Sequence, residues 1–400
     1  MSGSGLSTAR LGRMHEVLGE YVSRGDLPGL VAVVARRGEA HVGAIGTLQA
    51  GGRPMRRDSI FRIASLTKQI TAAAAMTLVE ECRLRLDDPV DELLPELADR
   101  RVLSRPDAPL DDTVPANRAI TLRDLLTFRM GLGAVMAPPG SYPIQQAMNE
   151  AGLSPGPGGP SIGPDEWLRR LASLPLVYQP GEKWMYHTGS DVLGVLMARA
   201  SGRPLEEFLA ERIFQPLGMT DTGFHVPADK LDRLTAAYQP DPGTGGLTLV
   251  DDPGDSRWAE PPAFPSAGGG PGLVSTADDL LAFHTMMLGK GRYDGRRILS
   301  RPSVELMTTD QLTEPQRAEN GIFFDGAGGW GFGVNVVTRR TDVFNSPGRF
   351  GWTGGTGTTA YTDPAEELVG ILLTQRQMTS PATPPLFRDF WTCAYQAIDD

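Results

Sequence analysis

The amino-acid sequence predicts an α+β fold, an α/β sandwich in which one sheet is built from both ends of the chain. Strand patterns lie near the N terminus, over 30–35 and 40–48, and near the C terminus, over 331–337, 358–362 and 368–373. Apolar residues at helical spacing dominate the chain between them. One sheet with a helical insertion accommodates this order most simply, because each element must bury its apolar face against another.

Helices are predicted where apolar residues recur every three or four positions. The first is expected between Leu11 and Val22, and an alanine-rich run predicts another over 71–83. Turn residues at 36–39 join the first two strands into a hairpin. Further helices are predicted over 121–128, 145–150, 165–174, 190–200, 205–214, 280–288 and 387–398.

The same pattern predicts two domains. Residues 1–75 and 260–400 form an α/β domain, and residues 76–259 form a mostly helical domain. Segment 134–164 is rich in proline and glycine. A loop of this length inside a compact domain usually has a function, and we expect it to act as a lid over a cleft.

Composition and charge narrow the classes of function. The chain carries 38 Lys and Arg against 48 Asp and Glu, a net charge of −10, which disfavours a nucleic-acid partner because such proteins need clustered basic residues. There is no apolar run of about 18 residues to cross a membrane. The first thirty residues contain charges where a signal peptide would be apolar. We therefore expect a cytoplasmic protein without a membrane partner.

Cysteines and histidines point to no metal and no disulfide framework. Cys82 and Cys393 are too few for a disulfide scaffold and too far apart for a zinc motif. The five histidines show no metal-ligand spacing. We predict neither a metal site nor an organic cofactor.

Ser65 and Lys68 form the first candidate catalytic pair. Residues three apart share one face of a helix, and the positive end of the helix dipole favours an alkoxide on the serine. A lysine that loses its proton can act as a general base toward that serine, whereas arginine stays protonated. The alternative is a surface serine and a solvated lysine in the first turn of a helix.

Two further segments are candidates for the same site. Tyr186 follows the turn Pro180-Gly181 just before a predicted helix, so its hydroxyl lies at the edge of an element. The glycine-rich segment 351–359 enters a strand, where glycines allow a ligand to approach the backbone closely. The alternatives are a packing tyrosine and an ordinary glycine-rich turn.

These three segments resemble, in order and spacing, the Ser-x-x-Lys, Tyr-x-Asn and Lys-Thr-Gly motifs of the serine β-lactamase and penicillin-binding-protein superfamily. The chain is most similar to the class C-like branch, which includes the family VIII carboxylesterases. Supporting stretches extend from Leu11 to Ala397. The resemblance implies an antiparallel sheet flanked by helices, a helical domain, and an active site in the cleft between them.

The resemblance also implies a role for each matching residue. Ser65 matches the nucleophile, Lys68 the base that activates it, and Tyr186 the group that works with the lysine and protonates the leaving group. The backbone N–H groups of Ser65 and Gly355 would form the oxyanion hole. Segment 352–354 would bind substrate on the edge strand.

Two departures from the motifs favour esters over β-lactams. Trp352, with Thr353 and Gly354, occupies the Lys-Thr-Gly position, so the cation that holds a β-lactam carboxylate is replaced by an indole. Thr188 stands where a lactamase has asparagine. His187, beside Tyr186, is assigned to substrate binding, with a structural histidine as the alternative.

The sequence therefore predicts a serine hydrolase that cleaves small-molecule carboxylic esters through an acyl-enzyme. Three enzymatic alternatives use the same residues: acyl transfer, β-lactam hydrolysis, and cleavage of D-amino-acid amides or peptides. A non-catalytic binding protein of the same fold is a more distant alternative. The sequence makes no prediction of the oligomeric state.

A second serine motif competes with Ser65. Segment 159–163 fits Gly-x-Ser-x-Gly around Ser161, the nucleophile elbow of α/β-hydrolases. That elbow requires a strand before the serine and a helix after it. Prolines disfavour this context at Pro155, Pro157, Pro160 and Pro164.

Overall fold

The structure is a computed structural model that describes residues 3–154 and 159–400. Its strands, in chain order, are β1 (Gly29–Arg36), β2 (Glu39–Gly46), β3 (Phe61–Ala64), β4 (Arg101–Leu103), β5 (Thr113–Pro115), β6 (Ala237–Pro240), β7 (Leu247–Asp251), β8 (Leu273–Ser275), β9 (Arg292–Tyr293), β10 (Arg296–Arg297), β11 (Gly328–Trp330), β12 (Asn335–Val337), β13 (Phe350–Gly354), β14 (Thr358–Asp363) and β15 (Leu368–Thr374).

The α-helices cover both ends and most of the middle of the chain. They are α1 (Thr8–Ser23), α2 (Thr67–Glu80), α3 (Leu122–Leu126), α4 (Pro143–Glu150), α5 (Pro164–Ser173), α6 (Thr188–Ser201), α7 (Leu205–Leu209), α8 (Gln215–Leu217), α9 (Ala277–Leu288), α10 (Arg301–Met307), α11 (Glu314–Ala318), α12 (Gly321–Phe324) and α13 (Pro385–Gln396). A π-helical turn, Ala210–Phe214, joins α7 to α8, and 3-10 turns cover Pro95–Leu97, Ala228–Arg233, Pro253–Asp255 and Arg257–Ala259.

Seven strands of the described chain form one antiparallel sheet, in the order β11-β12-β13-β14-β15-β1-β2. The N-terminal and C-terminal parts of the chain meet inside this sheet, where Val31 of β1 pairs with Leu373 of β15. On its other side β1 pairs with β2, with Leu30 opposite Ile45. The predicted α+β fold with an antiparallel sheet flanked by helices is confirmed.

Helices cover the central strands of the sheet on both faces, which explains the continuous apolar run of β1. Val31 and Val33 belong to the large core that also contains α2. The alternate residues, Leu30, Ala32 and Val34, pack with α1 and α13 in a second core. Side chains of successive strand residues point to opposite faces, so a strand buried on both sides must be apolar at every position.

The chain between α2 and residue 259 is helical with two small hairpins, β4–β5 and β6–β7. The β6–β7 hairpin contacts the main sheet just after the end of β15. There the Tyr238 N–H donates a hydrogen bond to the Gln375 carbonyl at 2.8 Å. The domain boundaries at 75/76 and 259/260 stay a prediction. The segment 134–164, the predicted lid, contains the helix α4. Residues 155–158 of this segment lie outside the described residues.

Two sequence predictions about local structure are wrong. The strand expected over 331–337 is the second half of a hairpin, since β11 ends at Trp330 and β12 begins at Asn335. Gly331 and Gly333 form the turn, and Gly333 has a φ of +70° that favours glycine. The alanine-rich helix α2 begins at Thr67, four residues before the predicted start.

Candidate active site

Ser65 lies at the sharp turn between β3 and α2. Ala64, the last residue of β3, has a φ of +41°, which is uncommon for a residue with a side chain. The Lys68 backbone N–H donates to the Ser65 carbonyl at 3.2 Å and begins the helical turn. A neighbouring loop passes close by, since a Cβ on Gly269 would lie 2.4 Å from the Ala64 carbonyl oxygen. The turn places Ser65 at the N-terminal end of α2, where the helix dipole favours negative charge.

The Lys68 side chain reaches back from the first turn of α2 to Ser65. Its Nζ lies 2.9 Å from Ser65 Oγ and donates to the Gly268 carbonyl oxygen. Lys68 is only 1% exposed. Burial lowers its pKa to about 7, and the charge of Asp191 partly opposes this shift. A large fraction of Lys68 is therefore an uncharged amine near neutral pH.

Tyr186 completes the group around Ser65. Its hydroxyl accepts a hydrogen bond from Trp352 Nε1 at 2.7 Å and is also hydrogen-bonded to the Ser65 side chain. The Lys68 Nζ lies 4.5 Å from the centre of the Tyr186 ring. Burial raises the pKa of Tyr186 above its ordinary value, and the hydrogen bonds to Ser65 and Trp352 oppose the rise. The phenol therefore keeps its proton at neutral pH.

Asp191 holds the loop that contacts Lys68, a role that the sequence analysis missed. Its Oδ1 accepts from Ser266 Oγ and from the Gly268 N–H, each at 2.8 Å. A Cβ on Gly268 would lie 2.7 Å from the Asp191 carboxylate, so this close approach requires glycine. The only signal in the sequence is an acidic residue in the first turn of α6, five positions after Tyr186.

His187 lies in the same loop contact and not in the cavity wall. Its Nδ1 is 3.1 Å from the Gly268 carbonyl oxygen, and its Nε2 is 3.6 Å from Asp191 Oδ2. Burial and the nearby charge of Lys68 lower the pKa of His187 to about 4, so the ring is neutral. The substrate-binding role of His187 stays a prediction, while these contacts show it supporting the Gly268 carbonyl.

The segment 352–355 lies along the other side of Ser65. Trp352, Thr353 and Gly355 line the same cavity as Ser65. Gly354 packs against β3 instead, since a Cβ there would lie 2.4 Å from the Ile63 carbonyl oxygen. The oxyanion-hole role of Gly355 and the substrate-binding role of Gly354 stay predictions.

The predicted edge position of this segment is correct for only half of β13. At the start of the strand, Phe350 and Gly351 pair with β12, so β13 lies inside the sheet there. From Trp352 to Gly354 the strand pairs with β14 on one side only. The hairpin β11–β12, which the sequence analysis did not anticipate, accounts for this difference.

A cavity of about 400 Å³ opens beside Ser65 and extends across the end of the sheet. Ala134 and Met136, from the predicted lid segment, contribute to its wall. The aromatic part of the cavity wall was not predicted, because it comes from residues that are distant in the chain. These aromatic residues are Phe323, Phe324, Phe344, Tyr361 and Trp391.

Ser161 lies outside this cavity. It is exposed on the segment before α5, and it is not among the residues that line the cavity with Ser65. Pro155 and Pro157, two of the prolines around Ser161, lie outside the described residues.

In the described ranges, no group of three or more His, Cys, Asp or Glu side chains could hold a metal ion. No helix in that part of the chain is long and apolar enough to cross a bilayer.

Comparison with known proteins identifies the family. A family model for beta-lactamases matches residues 14–387. The chain therefore belongs to the beta-lactamase family, and it is a hydrolase of the serine β-lactamase and penicillin-binding-protein superfamily. This finding confirms the resemblance carried by the three motifs.

Its relatives include proteins of similar length from several organisms. Protein Rv1367c of Mycobacterium tuberculosis is 42% identical over 368 residues, which cover 89% of this chain and 88% of that protein. Esterase EstB of Burkholderia gladioli is 34% identical over 399 residues, which cover 93% of this chain and 92% of that protein. The solved structure of EstCE1, a hydrolase with promiscuous acyltransferase activity, matches with a TM-score of 0.80 at 24% identity, covering 97% of this chain and 99% of EstCE1.

Proposed function

We propose that this protein is a carboxylesterase that cleaves small-molecule esters through an acyl-enzyme on Ser65. The observation that carries the proposal is the meeting of Ser65, buried Lys68 and protonated Tyr186 beside one cavity. Similarity to the esterase EstB over nearly the whole chain supports the substrate class. An indole at position 352, in place of a cation, favours esters over carboxylate-bearing β-lactams.

In the first step, Ser65 Oγ attacks the ester carbonyl while Lys68 Nζ takes the hydroxyl proton. The Gly268 carbonyl accepts one N–H of Lys68, and this contact orients the amine so that its lone pair faces Ser65. Loss of a positioned base typically costs a factor of 10² to 10⁴ in rate. The backbone N–H groups of Ser65 and Gly355 hold the oxyanion, a contribution of about 2.7–4 kcal/mol per donor.

In the second step, the tetrahedral intermediate collapses and the alcohol leaves. Tyr186 gives its proton to the departing alkoxide, and the Trp352 N–H stabilises the phenolate that results. Lys68 then returns the serine proton to Tyr186. Water attacks the acyl-enzyme with the same two groups as its base, and Ser65 is released with the free acid.

Covalent labelling tests the nucleophile. A fluorophosphonate probe should label the wild type, and Ser65→Ala should abolish both labelling and hydrolysis of p-nitrophenyl esters. The matched control is Ser161→Ala, the exposed serine outside the cavity, which should keep both. Activity that survives Ser65→Ala and disappears in Ser161→Ala would reject the assignment.

Acyl transfer is the second candidate, because an alcohol can replace water in the last step without any change of residues. The apolar wall formed by Phe323, Phe324 and Trp352 favours an organic acceptor over water. Product analysis with added 1-butanol separates the two functions: a transferase yields mostly the butyl ester.

We also propose that the protein is located in the cytoplasm. Fractionation of the native host, with detection of the protein in each fraction, tests this location.

A further inference from the structure

Arg349, just before β13, is a buried cation in the wall of the cavity beside Ser65. The residue is only 3% exposed. Its guanidinium carbon lies 4.0 Å from the centre of the Tyr361 ring and 4.1 Å from that of Trp391. Phe344 and Tyr395 lie further away, at 5.6 Å and 5.9 Å. The cation is thus held in an aromatic cage on the face of the sheet that α13 covers.

Two of the three guanidinium nitrogens of Arg349 are buried without a hydrogen-bond partner in the described residues. Its Nε and Nη2 atoms are buried and have no partner there, and no carboxylate in that part of the chain forms an ion pair with it. Two other buried arginines do have such partners: Arg36 pairs with Asp400 at 2.7 Å, and Arg62 pairs with Asp251. Buried charges are normally paired, because an unpaired one loses its hydration.

Two acidic side chains beside the cage and the cavity already have partners. Asp363 accepts from the Tyr395 hydroxyl at 2.6 Å and from the Ala365 N–H at 3.0 Å. Asp325, which lines the cavity, accepts from Thr383 at 2.8 Å and lies 3.5 Å from an Arg388 nitrogen. Aromatic faces stabilise a cation by about 0.5–2 kcal/mol, but they accept none of its N–H groups in the way that a carboxylate does.

The cage and the reactive serine share one cavity. Arg349 precedes Trp352 by three positions, so the two side chains point to opposite faces of the sheet, and the cavity that both of them line extends across the end of the sheet from one face to the other. The Trp352 indole is bonded to the Tyr186 hydroxyl. A molecule whose ester lies at Ser65 therefore extends toward Arg349 if it continues along the cavity.

We propose that Arg349 binds a carboxylate of the substrate, so that the preferred esters carry an acid group remote from the ester bond. The inference rests on the proposed esterase function and deepens it. Trp352 removes the cation next to the reacting carbonyl, and Arg349 supplies one farther along the same cavity. The guanidinium stays charged in proteins, and its hydrogen bonds to a carboxylate are charge-assisted and strong. Half-esters of dicarboxylic acids are the simplest substrates of this class.

A matched ester series tests the proposal. Mono-p-nitrophenyl esters of succinate, adipate and suberate are compared with p-nitrophenyl esters of the neutral acids of equal length. At one of the longer chain lengths, kcat/KM of the wild type should be at least tenfold higher for the half-ester. Arg349→Met, which keeps the volume and removes the charge, should bring the ratio to 1 or below. A wild-type ratio near 1 at every length would overturn the proposal.

Arg100→Met is the matched control. Arg100 is also a buried arginine whose Nε has no partner in the described chain, but it lies outside the cavity lining. This variant should keep the wild-type ratio of half-ester to neutral ester, whatever it does to stability. An equal fall of the ratio in both variants would also overturn the proposal.

Binding without catalysis separates this inference from the proposed function. Suberate should raise the Tm of Ser65→Ala, and the neutral suberamide should not. If the wild type cleaves no ester but Ser65→Ala binds suberate, the result would support the subsite and reject the esterase. Ester hydrolysis through Ser65, without any effect of suberate, would reject the subsite and leave the esterase standing.

Discussion

A lysine side chain in water has a pKa of about 10.4, and it becomes a useful base at neutral pH only when its surroundings disfavour the charge. Burial does this for Lys68, whose pKa falls to about 7. Arginine cannot take over this role, because its guanidinium stays protonated in proteins. Lys68→Arg should therefore lower kcat by about 10² or more. Retention of more than a tenth of the activity would mean that Lys68 acts only through its charge.

The pH dependence of the reaction should report the same lysine. The base is active when it is deprotonated, so kcat/KM should rise with pH up to a plateau above about 7. The negative charge of Asp191 raises the pKa of Lys68, so Asp191→Asn should move this rise to lower pH. Asp278→Asn, which changes an exposed ion pair with Arg57, is the control and should leave the rise in place. A shift of the Asp191→Asn profile to higher pH would contradict the assignment.

Trp352 combines a hydrogen bond to Tyr186 with an apolar surface for the substrate. Trp352→Phe keeps a ring and removes the indole N–H, so it should lower kcat for p-nitrophenyl butyrate by about tenfold, roughly 1.4 kcal/mol. Trp352→Lys should narrow the wild-type preference for that ester over nitrocefin, mainly by loss of esterase activity. An unchanged ratio in Trp352→Lys would show that selectivity lies elsewhere in the cavity.

At the scale of elements, the close contact between β13 and β3 positions the nucleophile. A Cβ on Gly354 would lie 2.4 Å from the Ile63 carbonyl oxygen, so Gly354→Ala must push the two strands apart. Thermal unfolding should show a Tm several degrees lower, together with reduced esterase activity. Gly355→Ala is the control for stability, because a Cβ there meets open space. Equal Tm values for the two variants would show that β13 and β3 can separate without loss of thermal stability.

The elements that the sequence predicted best are those whose burial pattern is regular. α1, α6 and α13 have apolar residues at helical spacing, and their observed bounds differ from the predicted ones by a few residues. The hairpin β11–β12 was missed because its strands are three residues long and its turn is made of ordinary apolar and glycine residues. Such short strands owe their pairing to the neighbouring sheet.

At the scale of the whole molecule, buried histidines should make the fold sensitive to acid. Burial lowers the pKa of His284 to about 3 and that of His187 to about 4, against about 6.5 in an unfolded chain. The unfolded state therefore binds more protons below pH 6.5. The free energy of unfolding should fall between pH 6.5 and 4 by about 1.4 kcal/mol per pH unit for each histidine.

Urea denaturation at several pH values measures this slope. His284→Gln should reduce the slope by about one proton, whereas His15→Gln, on the exposed face of α1, serves as the control. A slope that is the same in His284→Gln and the wild type would show that other groups cause the acid sensitivity.

The sequence by itself determined the strands β1, β2, β14 and β15 of the main sheet, the longer helices, the superfamily, and the candidates Ser65, Lys68 and Tyr186. These follow from residue spacing along the chain, where periodicity and short motifs carry the information. Only the tertiary structure decided which distant groups surround them. Asp191, Gly268 and Arg349 lie 126, 203 and 284 positions after Ser65. These residues come close to the site only when the sheet, the loop and the helices pack together. Local propensity does not determine contacts between residues so far apart in the chain.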